Sequence, residues 1–309
     1  MKIFYIERTT GQQVTEKIYK ENALELFYGD SWMSRWVGSW LLPYIAEWHW
    51  FSVIYGRLQK HPSSTRKIVP FIEAFDIDVS EFSDPLSHFR SFNDFFIRRL
   101  KPEARPLVVD PNVAIIPADG RYYFYENIEQ CPGFIVKGQK FTLKQLFNTR
   151  TEPQQEYLEG SMVIARLCPA DYHRFHFPFD CVPGPSRLIN GPLYSVNPLA
   201  IRQNIRILAE NKRMLCELES PLFGPVWYME IGATTVGSIQ ETYKPGEQQS
   251  KGAEKGYFEF GGSALIVVFP KGSIRFDADL LAASQKGLEI RCLLGQSMGQ
   301  SLRGGKILL

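Results

Sequence analysis

The bond between Gly262 and Ser263 lies in the run EKGYFEFGGSALIVVF, and this is where the sequence first offers chemistry. A hydroxyl directly after two glycines is either the exit of a turn or a nucleophile. As a turn, Gly261-Gly262 would join the strand-like runs Tyr257–Phe260 and Ala264–Phe269, because glycine accepts positive φ at little steric cost. As a nucleophile, Ser263 Oγ would attack the Gly262 carbonyl, which no side chain shields and whose backbone can hold strain. Local pattern alone favours the turn.

Two further segments carry groups that could work with that hydroxyl. CPADYHRFHFPFD holds His173 and His176, and PADGR places Asp119 after the apolar run VAII and before a turn glycine. Taken singly, each reads as structural: the histidines as packed core residues, Asp119 as an Asx turn. Pro169 and Pro178 favour an extended path in which the two imidazoles diverge, so a shared metal site with Asp119 is a weak reading without an H-E-x-x-H pattern. Taken together, a carboxylate, an imidazole and a hydroxyl can form a charge relay, in which the acid orients the ring and the ring removes the serine proton. No dinucleotide fingerprint, Walker loop or G-x-S-x-G elbow offers another chemistry; GATTVGS lacks the glycine spacing and reads as a strand and turn.

The elements that must position these residues divide into two textures. The first hundred residues read mostly as helix, and five of the six tryptophans fall between Trp32 and Trp50, with Trp32, Trp36 and Trp40 at i, i+4 spacing. With Arg35, Arg57 and Lys60 at the flanks and Pro43 dividing it, this segment suits a membrane interface or, equally, a helical core or dimer contact. Ser91 to Leu100 reads as a capped helix with Phe92, Phe95 and Phe96 along one stripe. Arg98, Arg99, Lys101 and Arg105 then make a basic patch, read as a solvated face or a contact for anionic headgroups. From about Val108 the chain turns to short apolar runs broken by Gly and Pro, which predicts a largely antiparallel β body. The expected fold is therefore α+β, with a helical, membrane-associating region at 1–107 and a β-rich catalytic domain at 108–309. The charged stretch Glu241 to Lys255 reads as an exposed loop.

Composition narrows the function classes. A formal charge of +2 over 309 residues leaves no broad electrostatic footprint for nucleic acid. Five cysteines without paired spacing suggest reduced, buried thiols. The N-terminus lacks a secretory apolar core, and no run approaches the roughly 18 apolar residues of a spanning helix.

Seven segments occur in a fixed order: FNDFFIRRLKPEARP, PADG, CPADYHRFHFP, NGPLYSVNP, NKR, GATTVGSI and KGAEKGYFEFGGS. On these, from about Phe89 onward, the chain resembles the pyruvoyl-dependent phosphatidylserine decarboxylases. The resemblance implies a barrel-sandwich-like β domain that cuts itself between Gly262 and Ser263 into a β chain of 1–262 and an α chain of 263–309. Asp119 would orient His176, and His176 would act as base for Ser263. The serine would become a pyruvoyl group that forms a Schiff base with phosphatidylserine and, on loss of CO2, yields phosphatidylethanolamine. His173 would handle the substrate carboxylate region and the incoming proton. No pyridoxal phosphate or metal is then needed. The implied setting is peripheral, on the anionic cytoplasmic face of a bacterial inner membrane, with a homodimer left open. Another serine phospholipid, a soluble amino acid or a non-catalytic lipid-binding role are the alternatives. One departure is Ala264, where the commonest family pattern has a hydroxyl residue.

Overall fold

The computed structural model describes residues 3–17, 56–129, 141–233, 239–261 and 263–304. The Trp32–Trp50 segment, Cys131, the whole TTVGS stretch (234–238) and Gly262 lie outside the described residues. Within them, the chain is a mixed α/β protein of mostly antiparallel sheets and short helices, as the texture of the sequence predicts.

The largest sheet runs in the order Gln13–Thr15, Phe4–Glu7, Glu289–Cys292, Gly120–Tyr125, Ser161–Leu167, Ser263–Phe269, Gly224–Gly232, Arg213–Ser220 and Val182–Pro183, and Arg187–Ile189 also pairs with Arg213–Ser220. Its two middle strands, Ser161–Leu167 and Ser263–Phe269, are buried at every position. Val163, Leu167, Leu265 and Val267 enter one core with Tyr122 and Tyr228, while Met162, Ile164, Ala264 and Ile266 enter a second with Met229. A strand covered on both faces needs no polar alternation, which is why these segments read as almost unbroken apolar runs. Arg166 is the exception, and Glu16 and Glu289 meet its guanidinium at 2.9 and 2.6 Å.

A three-stranded sheet of Ile239–Glu241, Glu254–Phe258 and Arg174–His176 stands beside it. Two paired strands pass between these sheets. Gly232 is in register with Ser263 in the large sheet, and Ile239 with Phe258 in the small one. The ribbon therefore changes sheets at Ser263, and Glu254–Phe258 does not form a hairpin with Ser263–Phe269. This corrects the turn expectation: the strands on either side of the glycine pair belong to different sheets, and Gly261 adopts φ 149°, a conformation suited to glycine.

Other expectations also change. Residues 4–7 and 13–15 are strands, not helix, and the first pairs in parallel with Glu289–Cys292, so the N-terminal region is woven into the main sheet. The helix starting at Ser91 is real but short. Ser91 Oγ accepts from the Asp94 amide at 3.1 Å, and the helix spans Phe92–Phe96. It stops because Arg174 takes the Ile97 carbonyl at 2.8 Å and Leu100 turns to bridge with Phe82. The Glu241–Lys255 loop is exposed in its middle, yet Lys255 is wholly buried. No helix among the described residues is long and apolar enough to cross a membrane.

Candidate active site

Ser263 opens the strand Ser263–Phe269, between Leu167 on one side and Gly232 on the other. The residue is fully buried, and its Oγ has no hydrogen-bond partner among the described residues. A hydroxyl left so costs about 1–3 kcal/mol, so its persistence points to use.

The segment leading to it is held by the Phe92–Phe96 helix. Asn93 Oδ1 accepts the Phe260 amide at 2.9 Å, and the Phe260 ring lies 5.1 Å from Phe92 and 4.8 Å from Phe96. The same Phe96 ring covers His173 at 3.9 Å. One short helix thus touches both the approach to Ser263 and the first histidine.

Both histidines border the strand Glu254–Phe258. Phe258 donates its amide to the His173 carbonyl at 2.9 Å, and Glu254 is in register with His176. His173 Nδ1 faces the Asp171 carbonyl at 2.9 Å, and His176 Nδ1 faces the Gly252 carbonyl at 3.0 Å. A carbonyl only accepts, so each Nδ1 carries the proton and donates it. Burial lowers the pKa of His173 to about 4 and also lowers that of His176, although the carbonyl bonds oppose the shift. Both rings are therefore neutral at pH 7, with the lone pair on Nε2. Each Nε2 is buried without a partner among the described residues.

Asp119 lies between the strands Val113–Ile115 and Gly120–Tyr125, and it is tied to the second histidine through the backbone. The His176 amide donates to the Pro117 carbonyl at 2.8 Å, two residues before Asp119. The carboxylate itself turns elsewhere. Arg105 grips it through Nε at 3.0 Å and Nη2 at 2.7 Å, and the Leu294 amide donates to it at 2.8 Å. In this arrangement His176 Nδ1 is bonded to Gly252 and Asp119 to Arg105, so no hydrogen bond joins the acid to the ring. The charge of Asp119 still acts on His176, raising its affinity for a proton.

Arg105, Arg98 and the Gly252 carbonyl are the parts that sequence reasoning missed. The expected basic patch splits: Arg99 and Lys101 face solvent, whereas Arg98 and the Arg105 guanidinium turn inward. Its signal was the position of both arginines after an aromatic stripe, which points a charged segment toward the core. A backbone acceptor such as Gly252 leaves no mark in residue type.

A buried hydroxyl at a sheet corner, two imidazoles with open Nε2 atoms and a nearby carboxylate are parts for nucleophilic and proton-transfer chemistry. Residues 92–300 match the family model described as phosphatidylserine decarboxylase. The chain belongs to the phosphatidylserine decarboxylase family. It is 48% identical over 301 residues to the phosphatidylserine decarboxylase proenzyme of Chlamydia felis, covering 97% of this chain and 99% of the relative. It is 43% identical over 298 residues to the proenzyme of the same name from Fusobacterium nucleatum, covering 96% and 97%. The family match starts at the helix that holds Phe260 and encloses Asp119, His173, His176 and Ser263.

Proposed function

We propose that this chain is a proenzyme that cuts itself at Gly262-Ser263 and then decarboxylates phosphatidylserine to phosphatidylethanolamine. The observation that carries the reading is the buried, unpartnered Ser263 Oγ at the corner between sheets. His176 Nε2, neutral and open, takes the Oγ proton as Oγ attacks the Gly262 carbonyl. The amide N–C bond breaks, the nitrogen gains a proton, and an ester replaces the amide. Loss of the Ser263 α-proton then expels the Gly262 carboxylate, leaving dehydroalanine, which water converts to a pyruvoyl group and ammonia. Asp119 is assigned to orient His176, which requires the ring to exchange the Gly252 carbonyl for the carboxylate now clamped by Arg105.

The Ser263 site fits such a group, because the orphaned Oγ marks a place where a polar atom is held dry without a partner. Once formed, the pyruvoyl carbonyl supplies an electron sink for the carbanion left by CO2, the part pyridoxal phosphate plays elsewhere. His173 keeps its Nδ1 proton, donated to the Asp171 carbonyl, and takes up and delivers at Nε2 the proton that replaces CO2. The Phe96 ring, itself packed on Phe260, covers the imidazole and helps to exclude water there.

The α chain of 263–309 stays bound to the β chain of 1–262, since Ser263–Phe269 is hydrogen-bonded along both edges. The region 1–107 is assigned to membrane association and 108–309 to a barrel-sandwich-like catalytic body. Leu58 and Val69, 57% and 53% exposed, sit in a stretch with Arg57, Lys60 and Arg66, which suits peripheral binding at an anionic, cytoplasmic bilayer surface.

The test is direct. Purified protein should run as two chains under denaturing conditions, the smaller one blocked at its N-terminus and reactive with carbonyl reagents. Ser263→Ala should remain one chain and release no CO2 from phosphatidylserine vesicles. A wild-type chain that stays full length and carbonyl-free refutes the reading.

A further inference from the structure

His173 is aimed by a backbone atom, the Asp171 carbonyl 2.9 Å from its Nδ1. That carbonyl belongs to a tight turn, closed by the Asp171 amide, which donates to the Cys168 carbonyl at 2.8 Å. The Asp171 side chain closes the same turn in the other direction: its Oδ2 accepts the Cys168 amide at 2.7 Å. The same oxygen takes Arg121 Nη1, whereas Oδ1 lies 4.0 Å from Arg291 Nε, beyond hydrogen-bond reach. Asp171 is only 5% exposed. Burial pushes its pKa up, but Arg121, Arg291 and the Cys168 amide outweigh that and hold it lowered, so the group is a carboxylate.

A buried carboxylate beside an arginine could serve stability alone. Its place in this turn gives it more to do. His173 Nε2 has no partner among the described residues, so the proton position of the ring is set by the bond at Nδ1. Whatever fixes the Asp171 carbonyl therefore fixes which nitrogen keeps the lone pair. His176 is anchored elsewhere, with its Nδ1 3.0 Å from the Gly252 carbonyl. A change at Asp171 thus reaches one imidazole and spares the other.

We propose that Asp171 is a positioning residue for decarboxylation: its carboxylate, by holding the Cys168 amide, fixes the carbonyl that keeps His173 protonated on Nδ1 and its Nε2 lone pair free. The role rests on the decarboxylase reading, in which that lone pair takes up the proton that replaces CO2.

Three substitutions separate aim from ion pairing. Asp171→Asn can place an oxygen where Oδ2 stands, so it keeps the Cys168 and Arg121 contacts and loses the charge. Asp171→Glu keeps the charge, but its longer side chain moves the oxygens off the Cys168 amide. Asp171→Ala loses both. In the mature enzymes, Asp171→Glu and Asp171→Ala should lose about tenfold or more in kcat on phosphatidylserine with KM little changed, and Asp171→Asn should stay within about threefold. Self-cleavage of all three should keep the wild-type rate. A purely stabilising ion pair gives the reverse order, Asp171→Glu above Asp171→Asn. That order, or self-cleavage slowed as much as kcat, overturns the role. If Asp171→Ala does not fold, the order of the other two decides. Imidazole 15N NMR of uncut Ser263→Ala reads the aim without turnover. His173 should be protonated on Nδ1 alone, and adding Asp171→Glu should give it an Nε2-protonated share while His176 stays unmoved. An unchanged His173 pattern overturns the role. A changed pattern upholds it even if wild-type protein releases no CO2, which separates failure of this role from failure of the function.

Discussion

Two buried polar regions of this molecule treat their charges and dipoles in opposite ways. Beneath the small sheet, Lys255 and Glu230 are both fully buried, with Lys255 Nζ 2.6 Å from Glu230 and 2.8 Å from Glu241 and the rings of Phe175, Tyr228 and Tyr243 around it. Among the residues assigned to catalysis, three polar atoms instead have no partner among the described residues: Ser263 Oγ, His173 Nε2 and His176 Nε2. Both regions are desolvated, but in the first the charges meet opposite charges, even though Glu230 Oε2 and the Tyr228 hydroxyl have no hydrogen-bond partner among the described residues. A compensated cluster serves the fold, since its energy is already realised in the resting protein. An uncompensated one holds free energy that a substrate or a bond change can release. The largest effect that separates them is all-or-none: Ser263→Ala removes self-cleavage while leaving stability unchanged or slightly raised, because it deletes an unsatisfied hydroxyl.

The compensated region should answer in the reverse sense. Lys255→Ala leaves Glu230 and Glu241 together in the core, and breaking such a pair costs about 3–5 kcal/mol. Urea denaturation should show that loss, with whatever folds still cutting itself. The double variant Lys255→Met with Glu230→Leu should recover most of the stability, since apolar replacement of a buried pair is often neutral. If Lys255→Ala left stability intact but stopped cleavage, the division between the two regions would be wrong.

A smaller effect concerns protons. His173 is held neutral in the folded protein with its pKa near 4, whereas an unfolded histidine titrates near 6.5. Between these values the unfolded chain binds a proton that the folded chain refuses, so unfolding becomes easier as pH falls from about 6.5 to about 4. The slope is about 1.4 kcal/mol per pH unit for this one group. It is absent above 6.5, where both states are neutral. Urea titrations of Ser263→Ala at several pH values should show this slope, and His173→Phe in the same background should reduce it, leaving the share of His176, whose pKa burial also lowers. An unchanged slope would assign the proton uptake elsewhere.

How far these regions could be read from residues alone follows from where their partners come from. The middle strands were legible because their burial depends on short apolar runs, and Ser263 stood out because two glycines precede it. Asp119 and the histidines carried their chemistry in their side-chain types. The strand Phe4–Glu7 was not legible, since its partner is Glu289–Cys292, nearly the whole chain away, and nothing local demands that pairing. Lys255 sat in a polar stretch and read as loop because its compensation comes from Glu230 on another strand. Arg98 and Arg105 read as surface for the same reason. Sequence shows which groups could react; long-range packing decides which are satisfied.

The smallest expected effect lies where the two kinds of region meet, at Asn93. Its side chain is buried and its Oδ1 accepts the Phe260 amide, three residues before Ser263. This bond is satisfied, as in the Lys255 cluster, yet it steadies the approach to the unsatisfied serine. Asn93→Ala should cost about 1 kcal/mol in stability, the ordinary net worth of one hydrogen bond. If that bond also fixes the geometry of attack, the same energy slows cleavage about fivefold. Time courses of cleavage in freshly translated protein, set beside urea midpoints, measure both. Slowing without loss of stability would place Asn93 with the reacting centre, and loss of stability with an unchanged rate would place it with the fold.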